Sequence, residues 1–342
     1  MTRIAVIATG GTIASTATDS GVVATRPAAN LVERAGVSGI DTEPHDLMTV
    51  GSYCMDLHHL RLISDAVAEL LNRTDDPVDG IVITHGTDTL EETAILLDLV
   101  HDDPRPVVLT GAQRASDSPD ADGPRNLADA ILVAGDTRSR EQGVLIVFAG
   151  QVLPARGTRK THTSSLAAFS SMSGCPAGQV RSRAQDGAPI LAGAAGARRP
   201  TPPLPRPTNT FDNTRVDLVE MYPGADDTLM RAAVAAGAKG IVLAGTGIGN
   251  ANPVVVDAAR DLVTRHDVAV VLSTRVPQGP VAGVYGNGGG ADLVAAGIPA
   301  ASGLPATQLR ILLALWLSQH EFDASQIRSM IARYANDPDD PK

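Results

Sequence analysis

The chain has 342 residues, of which 43% are hydrophobic and 19% are charged. This is ordinary globular composition, sufficient for two hydrophobic cores, and it excludes a largely disordered chain. The formal net charge is −10 and no long basic run occurs, so neither nucleic acid nor an anionic membrane is expected as a partner. Two cysteines, Cys54 and Cys175, are too few for a disulfide framework or a zinc site, and we interpret both as small hydrophobic residues.

The first predicted element is the apolar run at residues 4–8, which follows Met1-Thr2-Arg3. The run is too short for a signal peptide and is predicted to be a buried strand, so we expect a cytoplasmic protein. No apolar run approaches the roughly 18 to 20 residues that a membrane span requires, and no membrane association is expected.

Short apolar runs alternate with longer amphipathic segments in the first half of the chain. Apolar runs without polar alternation are typical of strands buried on both faces of a parallel sheet, and apolar spacing near 3.6 residues predicts helices. The predicted strands are 4–8, 80–84, 106–110 and 143–148, and the predicted helices are 57–72, 90–100 and 125–135. This alternation predicts a doubly wound α/β domain.

A proline-rich segment, residues 198–207, follows this half. Proline lacks the backbone donor and restricts its predecessor, so the segment is predicted to be an extended linker. Beyond it, strands are predicted at 216–221, 240–244 and 268–272, helices at 228–237, 253–265 and 309–318, and a frayed tail at 336–342. We therefore predict two α/β domains with mainly parallel sheets: a larger N-terminal domain at 1–190, a linker at 191–212 and a smaller C-terminal domain at 213–342.

Small, hydroxyl-bearing and acidic residues follow three of the predicted strands. Ligands bind at the carboxyl ends of parallel strands, and glycines there let backbone N–H groups surround a ligand oxygen. The three segments are Thr9-Gly10-Gly11-Thr12, Thr84-His85-Gly86-Thr87-Asp88-Thr89 and Thr110-Gly111-Ala112-Gln113-Arg114. We expect them to converge on one edge of the sheet.

The Gly10-Gly11 turn has neither the glycine spacing of a dinucleotide-binding loop nor the ending of a phosphate loop. Residues 15–30, which follow it, are predicted to be a mobile loop, and a loop beside a nucleophile suggests a lid. Thr12 is a candidate nucleophile, but threonines after strands also cap helices or bond the local backbone. The residues alone leave both interpretations open.

Thr87, Asp88 and Lys160 could activate such a hydroxyl, which is a poor nucleophile unless a base takes its proton. Lys160 is one of three lysines and follows the fourth strand, in a segment that includes Arg156 and Arg159. Partial desolvation and two neighbouring cations would favour the neutral amine, which is the form that acts as a base. The alternative interpretation is a solvated surface lysine.

These segments resemble the two signatures of the bacterial-type L-asparaginases and glutaminase-asparaginases. Residues 8–14, Ala-Thr-Gly-Gly-Thr-Ile-Ala, match one signature, and residues 84–93, Thr-His-Gly-Thr-Asp-Thr-Leu-Glu-Glu-Thr, match the other. Further segments that resemble the family follow in the expected order at 110–114, 160–161, 217–219, 222–224 and 245–250. The resemblance covers essentially the whole chain.

The resemblance implies two α/β domains in a homotetramer, a dimer of dimers whose active sites are shared between subunits. It also implies deamidation of L-asparagine to L-aspartate and ammonia without a cofactor. By motif position, Thr12 is the implied nucleophile and forms an acyl-enzyme. Thr87, Asp88 and Lys160 are the implied second catalytic group.

Substrate binding is implied in the same way. Asp88 would receive the ammonium of the substrate and Ser52 its α-carboxylate, while backbone N–H groups near Thr87 and Ala112 would surround the oxyanion. Asn250 would reach across from a partner subunit. The remaining implied substrate-binding residues are Gly11, Tyr53 and Gly86.

Three positions depart from the family pattern. The family's lid usually carries a tyrosine, whereas residues 15–30 contain none, so we hypothesise that Tyr285 supplies the phenol from a neighbouring C-terminal domain. No glutamate stands at or near Gly286, so Asp88 would hold the substrate's ammonium more nearly alone. Tyr53 replaces a common glutamine, and weaker substrate binding is expected.

Other functions fit part of this pattern. The same site could serve a glutaminase or a broader ω-amidase. Glutamine is longer than asparagine by one methylene, and a binding pocket discriminates between two such substrates by only roughly 1 to 3 kcal/mol. A subunit of a tRNA-dependent amidotransferase would need RNA, which a chain of net charge −10 binds poorly. The intact Thr12, Thr87, Asp88 and Lys160 disfavour a catalytically inactive amino-acid sensor. The histidines lack metal-ligand spacing, and no metal is expected.

Overall fold

The structure, a computed structural model, describes residues 1–18, 21–172, 177–180, 189–191 and 201–336. The chain divides into two units, Met1–Arg206 and Pro207–Lys342, and the division lies inside the segment predicted to be the linker. Residues 192–200 of that segment and the tail, 337–342, lie outside the described residues.

An eight-stranded sheet forms the framework of the first unit. The strands of this unit are β1 (Arg3–Ala8), β2 (Ser15–Thr18), β3 (Gly21–Ala24), β4 (Asp41–Asp46), β5 (Gly80–Thr84), β6 (Val107–Thr110), β7 (Val144–Phe148), β8 (Gln151–Pro154), β9 (Thr158–Lys160), β10 (Phe169–Ser171), β11 (Gly178–Val180) and β12 (Pro189–Leu191). The order in the large sheet is β12-β11-β8-β7-β6-β5-β1-β4. Strands β4, β1, β5, β6 and β7 are parallel, and β8, β11 and β12 join them antiparallel.

Helices cover both faces of this sheet: α1 (Ala28–Ala35), α2 (Leu57–Asn72), α3 (Leu90–Val100) and α4 (Gly123–Ala134). Ala5 and Ile7 of β1 share a core with side chains of α2 and α3, whereas Ile4 and Val6 share a core with side chains of α1 and α4. Successive residues of one strand are therefore buried in opposite cores, which is why β1 is apolar at almost every position. The predicted α/β class with a mainly parallel sheet is confirmed.

Strand β4 escapes a prediction based on hydrophobicity because its sequence, Asp-Thr-Glu-Pro-His-Asp, is polar. It lies at the end of the sheet and pairs only with β1 among the described strands. An edge strand leaves side chains in contact with solvent and tolerates a proline, here Pro44. Its parallel pairing with β1, rather than its own apolar content, places it in the sheet.

The segment predicted to be a mobile lid loop is instead an antiparallel hairpin followed by a helix. Ser15 pairs with Ala24 and Thr16 with Val23 across strands β2 and β3, and α1 begins at Ala28. The turn between the strands, residues 19–20, lies outside the described residues. Threonine and valine favour extended backbone, which explains the pairing.

The second unit has a three-stranded parallel sheet, β13 (Val216–Glu220), β14 (Gly240–Gly245) and β15 (Ala269–Thr274), in that order. Its helices are α5 (Asn209–Asp212), α6 (Thr228–Ala235), α7 (Pro253–Arg265), α8 (Gly290–Ala295), α9 (Ala306–Leu317) and α10 (Ala324–Tyr334). The predicted strands and the helices α6, α7 and α9 are present, while α5, α8 and α10 were not predicted.

Within the described ranges, no helix combines the length and the apolar character needed to cross a bilayer.

Candidate active site

The three polar segments that follow β1, β5 and β6 lie side by side at one edge of the large sheet. Ala8 is in register with Thr84, and Thr84 with Thr110. Because these neighbouring strands are parallel, their carboxyl ends meet at the same edge. The expected convergence is therefore present.

Two glycines let the segment after β1 touch the segment after β5. Gly10 and Gly11 have φ values of +104° and +79°, a backbone region that favours glycine. A Cβ atom on Gly11 would overlap the backbone of Gly86, and one on Gly10 would lie 2.7 Å from Val50 N. Thr12 follows directly and begins a short 3₁₀ helix, Thr12–Ala14. The turn that leads into Thr12 is thus held against the backbone of Gly86 by close packing.

Ser52 lies beneath the second segment and is only 2% exposed. Its Oγ accepts a hydrogen bond from the backbone N–H of Asp88 at 3.2 Å, and its carbonyl accepts one from Thr89 Oγ1 at 2.9 Å. A Cβ atom on Gly86 would lie 2.5 Å from Ser52 Oγ, so only glycine fits there. Tyr53, in contrast, is 76% exposed.

Lys160 joins the two side chains that were predicted to act with it. Its Nζ donates to Thr87 Oγ1 at 2.9 Å and to Asp88 Oδ1 at 2.8 Å. Thr87 is 5% exposed, whereas the Asp88 side chain is 53% exposed. Lys160 ends β9, which pairs with β10 outside the large sheet. Arg156, expected beside Lys160, forms its ion pair with Asp98.

Backbone donors are available at the same edge. Within the part of the chain that the structure describes, the N–H groups of Thr12, Thr87 and Ala112 have no hydrogen-bond acceptor. Ala112 is 1% exposed, and a Cβ atom on the preceding Gly111 would lie 3.3 Å from Thr87 Cγ2. Such donors can stabilise negative charge that develops on a substrate oxygen.

Two residues that the sequence did not single out hold the Ala112 segment in place. Asp122 accepts hydrogen bonds from the backbone N–H groups of Gln113 and Arg114, at 3.0 and 2.9 Å. Asn126 donates to the Gly111 carbonyl at 3.0 Å and accepts from Ala149 N at 3.1 Å. Asn126 is 2% exposed and lies on the buried face of α4. The only sequence signal that could have identified it is a polar residue at an otherwise apolar position of the predicted helix.

His85 supports the site as a neutral side chain. It is fully buried, and its Nδ1 lies 2.7 Å from the Gly86 carbonyl while its Nε2 lies 2.9 Å from Thr93 Oγ1. A carbonyl only accepts, so Nδ1 carries the proton and Nε2 accepts from Thr93. Burial lowers the pKa of His85 to about 4, because desolvation disfavours the charged ring.

We expect His85 to make stability depend on pH. Between pH 6.5 and about 4 the unfolded chain binds a proton at this histidine that the folded chain does not, so stability falls as the pH falls. The contribution is fully present above pH 6.5, and its loss by pH 4 amounts to about 3 kcal/mol. His85→Asn, which keeps a donor for Gly86, should flatten the dependence in urea titrations. His320→Asn, at an exposed histidine, should not. Equal pH slopes for wild type and His85→Asn would contradict this expectation.

Two predicted site residues belong to the second unit. Asn250 accepts a hydrogen bond from Gly290 N through Oδ1 at 3.1 Å, and its backbone pairs with Thr246. Tyr285 is 60% exposed, in the turn that leads to α8. Its carbonyl accepts from Ala291 N at 3.0 Å, so the backbone of Tyr285 is fixed and its phenol faces outward.

Cys54 corrects one expectation from the sequence. It closes the 3₁₀ turn Ser52–Cys54 and carries a free, exposed thiol, so it is not a buried hydrophobic residue. Cys175 lies outside the described residues.

The fold and site together define a two-domain α/β protein with threonine, lysine and aspartate side chains at the carboxyl edge of its larger sheet. Residues 3–187 match the family model "Asparaginase, N-terminal", and residues 215–331 match "Glutaminase/Asparaginase C-terminal domain". The chain belongs to the asparaginase family, which confirms the resemblance seen in its motifs.

Several members of this family are similar in sequence to the chain along most of its length. A probable L-asparaginase of Deinococcus radiodurans is 36% identical over 92% of this chain and 93% of its own. A glutaminase-asparaginase of Pseudomonas fluorescens biotype A is 32% identical over 82% of this chain and 77% of its own. The crystal structure of a probable cytoplasmic L-asparaginase from Campylobacter jejuni superposes with a TM-score of 0.80 at 30% identity, covering 98% of this chain and 100% of that one.

Proposed function

We propose that the protein hydrolyses L-asparagine to L-aspartate and ammonia, with Thr12 as the nucleophile. The observation that carries this proposal is the contact of Lys160 Nζ with both Thr87 Oγ1 and Asp88 Oδ1, next to the glycine turn that presents Thr12. A hydroxyl, a lysine and a carboxylate in contact form the relay that activation of a hydroxyl nucleophile requires.

The reaction has two halves. In the first, Thr12 Oγ attacks the side-chain amide carbon, its proton passes to the leaving nitrogen, and the carbon–nitrogen bond breaks, so that ammonia leaves and an ester remains on Thr12. In the second, water attacks the ester carbon while Thr87 and Lys160 polarise the water and take its proton, and that proton then passes to Thr12 Oγ as the ester bond breaks and aspartate is released. Backbone N–H groups of Thr12, Thr87 and Ala112 are the candidate oxyanion donors, each worth about 3 kcal/mol. This chemistry calls for no cofactor or metal.

Asp88 and Ser52 are proposed to orient the substrate. The half-exposed carboxylate of Asp88 is accessible to the substrate's ammonium. Ser52 Oγ already accepts from Asp88 N, so its own hydroxyl proton remains available to donate to the substrate's α-carboxylate. The proposed pocket is completed by Gly11, Tyr53 and Gly86, together with Asn250 from a partner subunit.

Tyr285 is proposed to supply the phenol that the hairpin at residues 15–24 lacks. Its exposed side chain is available to a site of a second copy of the chain. We expect Tyr285→Phe to lower kcat by about 10²-fold, the lower end for a proton-transfer group, with little change in stability. Tyr222→Phe, at another exposed tyrosine of the second unit, is the matched control. If Tyr285→Phe retains full turnover, this role is wrong.

A homotetramer with shared sites is the assembly that the family resemblance implies, and the roles proposed for Asn250 and Tyr285 of the second unit depend on it. We also propose a cytoplasmic location, supported by the Campylobacter relative that is named as cytoplasmic and by the free, exposed thiol of Cys54, since exposed thiols persist in reducing compartments. Sedimentation of the native protein tests the assembly state.

A glutaminase-asparaginase is the second candidate, favoured by the relative of that name. Ammonia release from L-asparagine, L-glutamine and D-asparagine distinguishes the candidates. We expect the highest kcat/KM with L-asparagine. A higher value with L-glutamine would favour the second candidate, and no ammonia from any of the three would contradict both.

A further inference from the structure

Lys160 is held at its backbone as well as at its ammonium. While Nζ contacts Thr87 and Asp88, the backbone N–H of Lys160 donates a short hydrogen bond to Glu91 Oε2. Glu91 lies in the first turn of α3 and is 6% exposed. The proposed reaction uses no atom of Glu91, so its buried carboxylate needs another explanation.

Strand β9 depends on such contacts for its position. It has three residues and, within the described chain, pairs only with β10, outside the eight-stranded sheet. Two carboxylates of α3 connect this segment to the helix: Glu91 accepts from Lys160 N, and Asp98 accepts from Arg156 Nε at 3.1 Å. Residues 91 and 98 are two helical turns apart and therefore lie on one face of α3.

The position of Glu91 in the first turn of α3 and its hydrogen bond from Lys160 N–H offset the free-energy cost of burying a carboxylate. A buried carboxylate is unfavourable unless hydrogen bonds and local charge stabilise it. The first turn of a helix offers a partial positive charge, and the Lys160 N–H adds a charge-assisted hydrogen bond. Loss of the carboxylate oxygen would leave that N–H without this acceptor and release the end of β9 from α3.

We propose that Glu91 is a positioning residue for the deamidation: it fixes the backbone of Lys160 so that Nζ reaches Thr87 and Asp88. The inference rests on the proposed function, because it assigns Glu91 to the same site. Positioning of Lys160 then requires a hydrogen-bond acceptor at position 91. Glutamine also provides such an acceptor, and leucine does not.

Three variants test this role. Glu91→Leu is expected to lower kcat by about 10²-fold, the order expected for a displacement of about 1 Å in a catalytic group, with a smaller change in KM. Glu91→Gln should retain most of the wild-type kcat because its amide oxygen accepts the same bond. Val67→Ala, which removes buried methyl groups from α2 in the core of the first unit, should lower stability without lowering kcat.

Hydrogen exchange at the Lys160 amide provides a readout that does not depend on turnover. Exchange should be slow in the wild type and in Glu91→Gln, and fast in Glu91→Leu. Wild-type kcat in Glu91→Leu, equal impairment of the two Glu91 variants, or equal exchange in all three proteins would overturn the proposal. If the wild type releases no ammonia from any amide, the proposed function fails and exchange alone decides the role of Glu91. If Glu91→Leu does not fold, kcat and exchange of Glu91→Gln still decide it.

Discussion

Replacing Thr12 with alanine is expected to lower kcat at least 10³-fold without unfolding the protein, because loss of a nucleophile leaves only the catalysis that binding and the oxyanion donors supply. Among the described residues the Thr12 hydroxyl has no hydrogen-bond partner, and the turn that carries it depends on Gly10 and Gly11 rather than on the Thr12 side chain. Removing the hydroxyl therefore deletes chemistry without deleting a structural contact. Steady-state ammonia release and thermal unfolding, measured on the same preparation, separate the two effects.

Two further variants make this expectation specific. Thr12→Ser keeps a hydroxyl and should recover part of the turnover. Thr42→Ala removes a threonine on the edge strand β4, far along the sheet from its carboxyl edge, and should leave kcat unchanged. Turnover in Thr12→Ala comparable to that of Thr42→Ala would contradict a nucleophilic Thr12.

Replacing Lys160 with methionine should be the second most damaging change. Methionine has a similar length but cannot donate to Thr87 or Asp88, so both contacts at 2.9 and 2.8 Å are lost. We expect kcat to fall between about 10² and 10³-fold, within the range of general acid–base catalysis. Asp88, which forms the ion pair with Lys160, is half exposed. The loss of this ion pair should therefore change the folding free energy by less than about 1 kcal/mol.

Lys239 offers a matched control for this change because it is an exposed lysine of the second unit. Lys239→Met should keep wild-type kcat. Lys160→Arg should remain impaired, since a guanidinium keeps the charge but not the compact geometry that contacts two oxygens, and it does not readily become a neutral base. Full activity in Lys160→Arg would show that charge alone suffices and would remove Lys160 from the proton relay.

Elements with strong local signals could be predicted from the sequence. Strands β1, β5, β6 and β7 are apolar at nearly every position because helices cover both faces of their sheet. Strand β4 could not be predicted, since its polar residues are placed by pairing with β1 at the edge. The same holds for β9 and β10, three residues each, whose mutual pairing is a tertiary contact.

The candidate site divides in the same way. Thr87, Asp88 and Lys160 could be proposed from residue type and motif, and the structure brings all three into contact. The residues that hold Lys160 and the Ala112 segment in place could not be proposed, because their roles depend on burial and on partners distant in the sequence. Glu91 is separated from Lys160 by 69 positions, and Asn126 connects segments that follow two different strands.

The central claim, an acyl-enzyme on Thr12, is tested most directly by trapping the intermediate. L-Aspartate β-methyl ester has a better leaving group than the amide, so acylation should outpace hydrolysis and the ester on the enzyme should accumulate. Acid quenching during turnover, followed by peptide mass mapping, should locate an aspartyl group on Thr12. An aspartyl group on Thr87, or steady turnover of this ester with no covalent label on any peptide, would contradict the account.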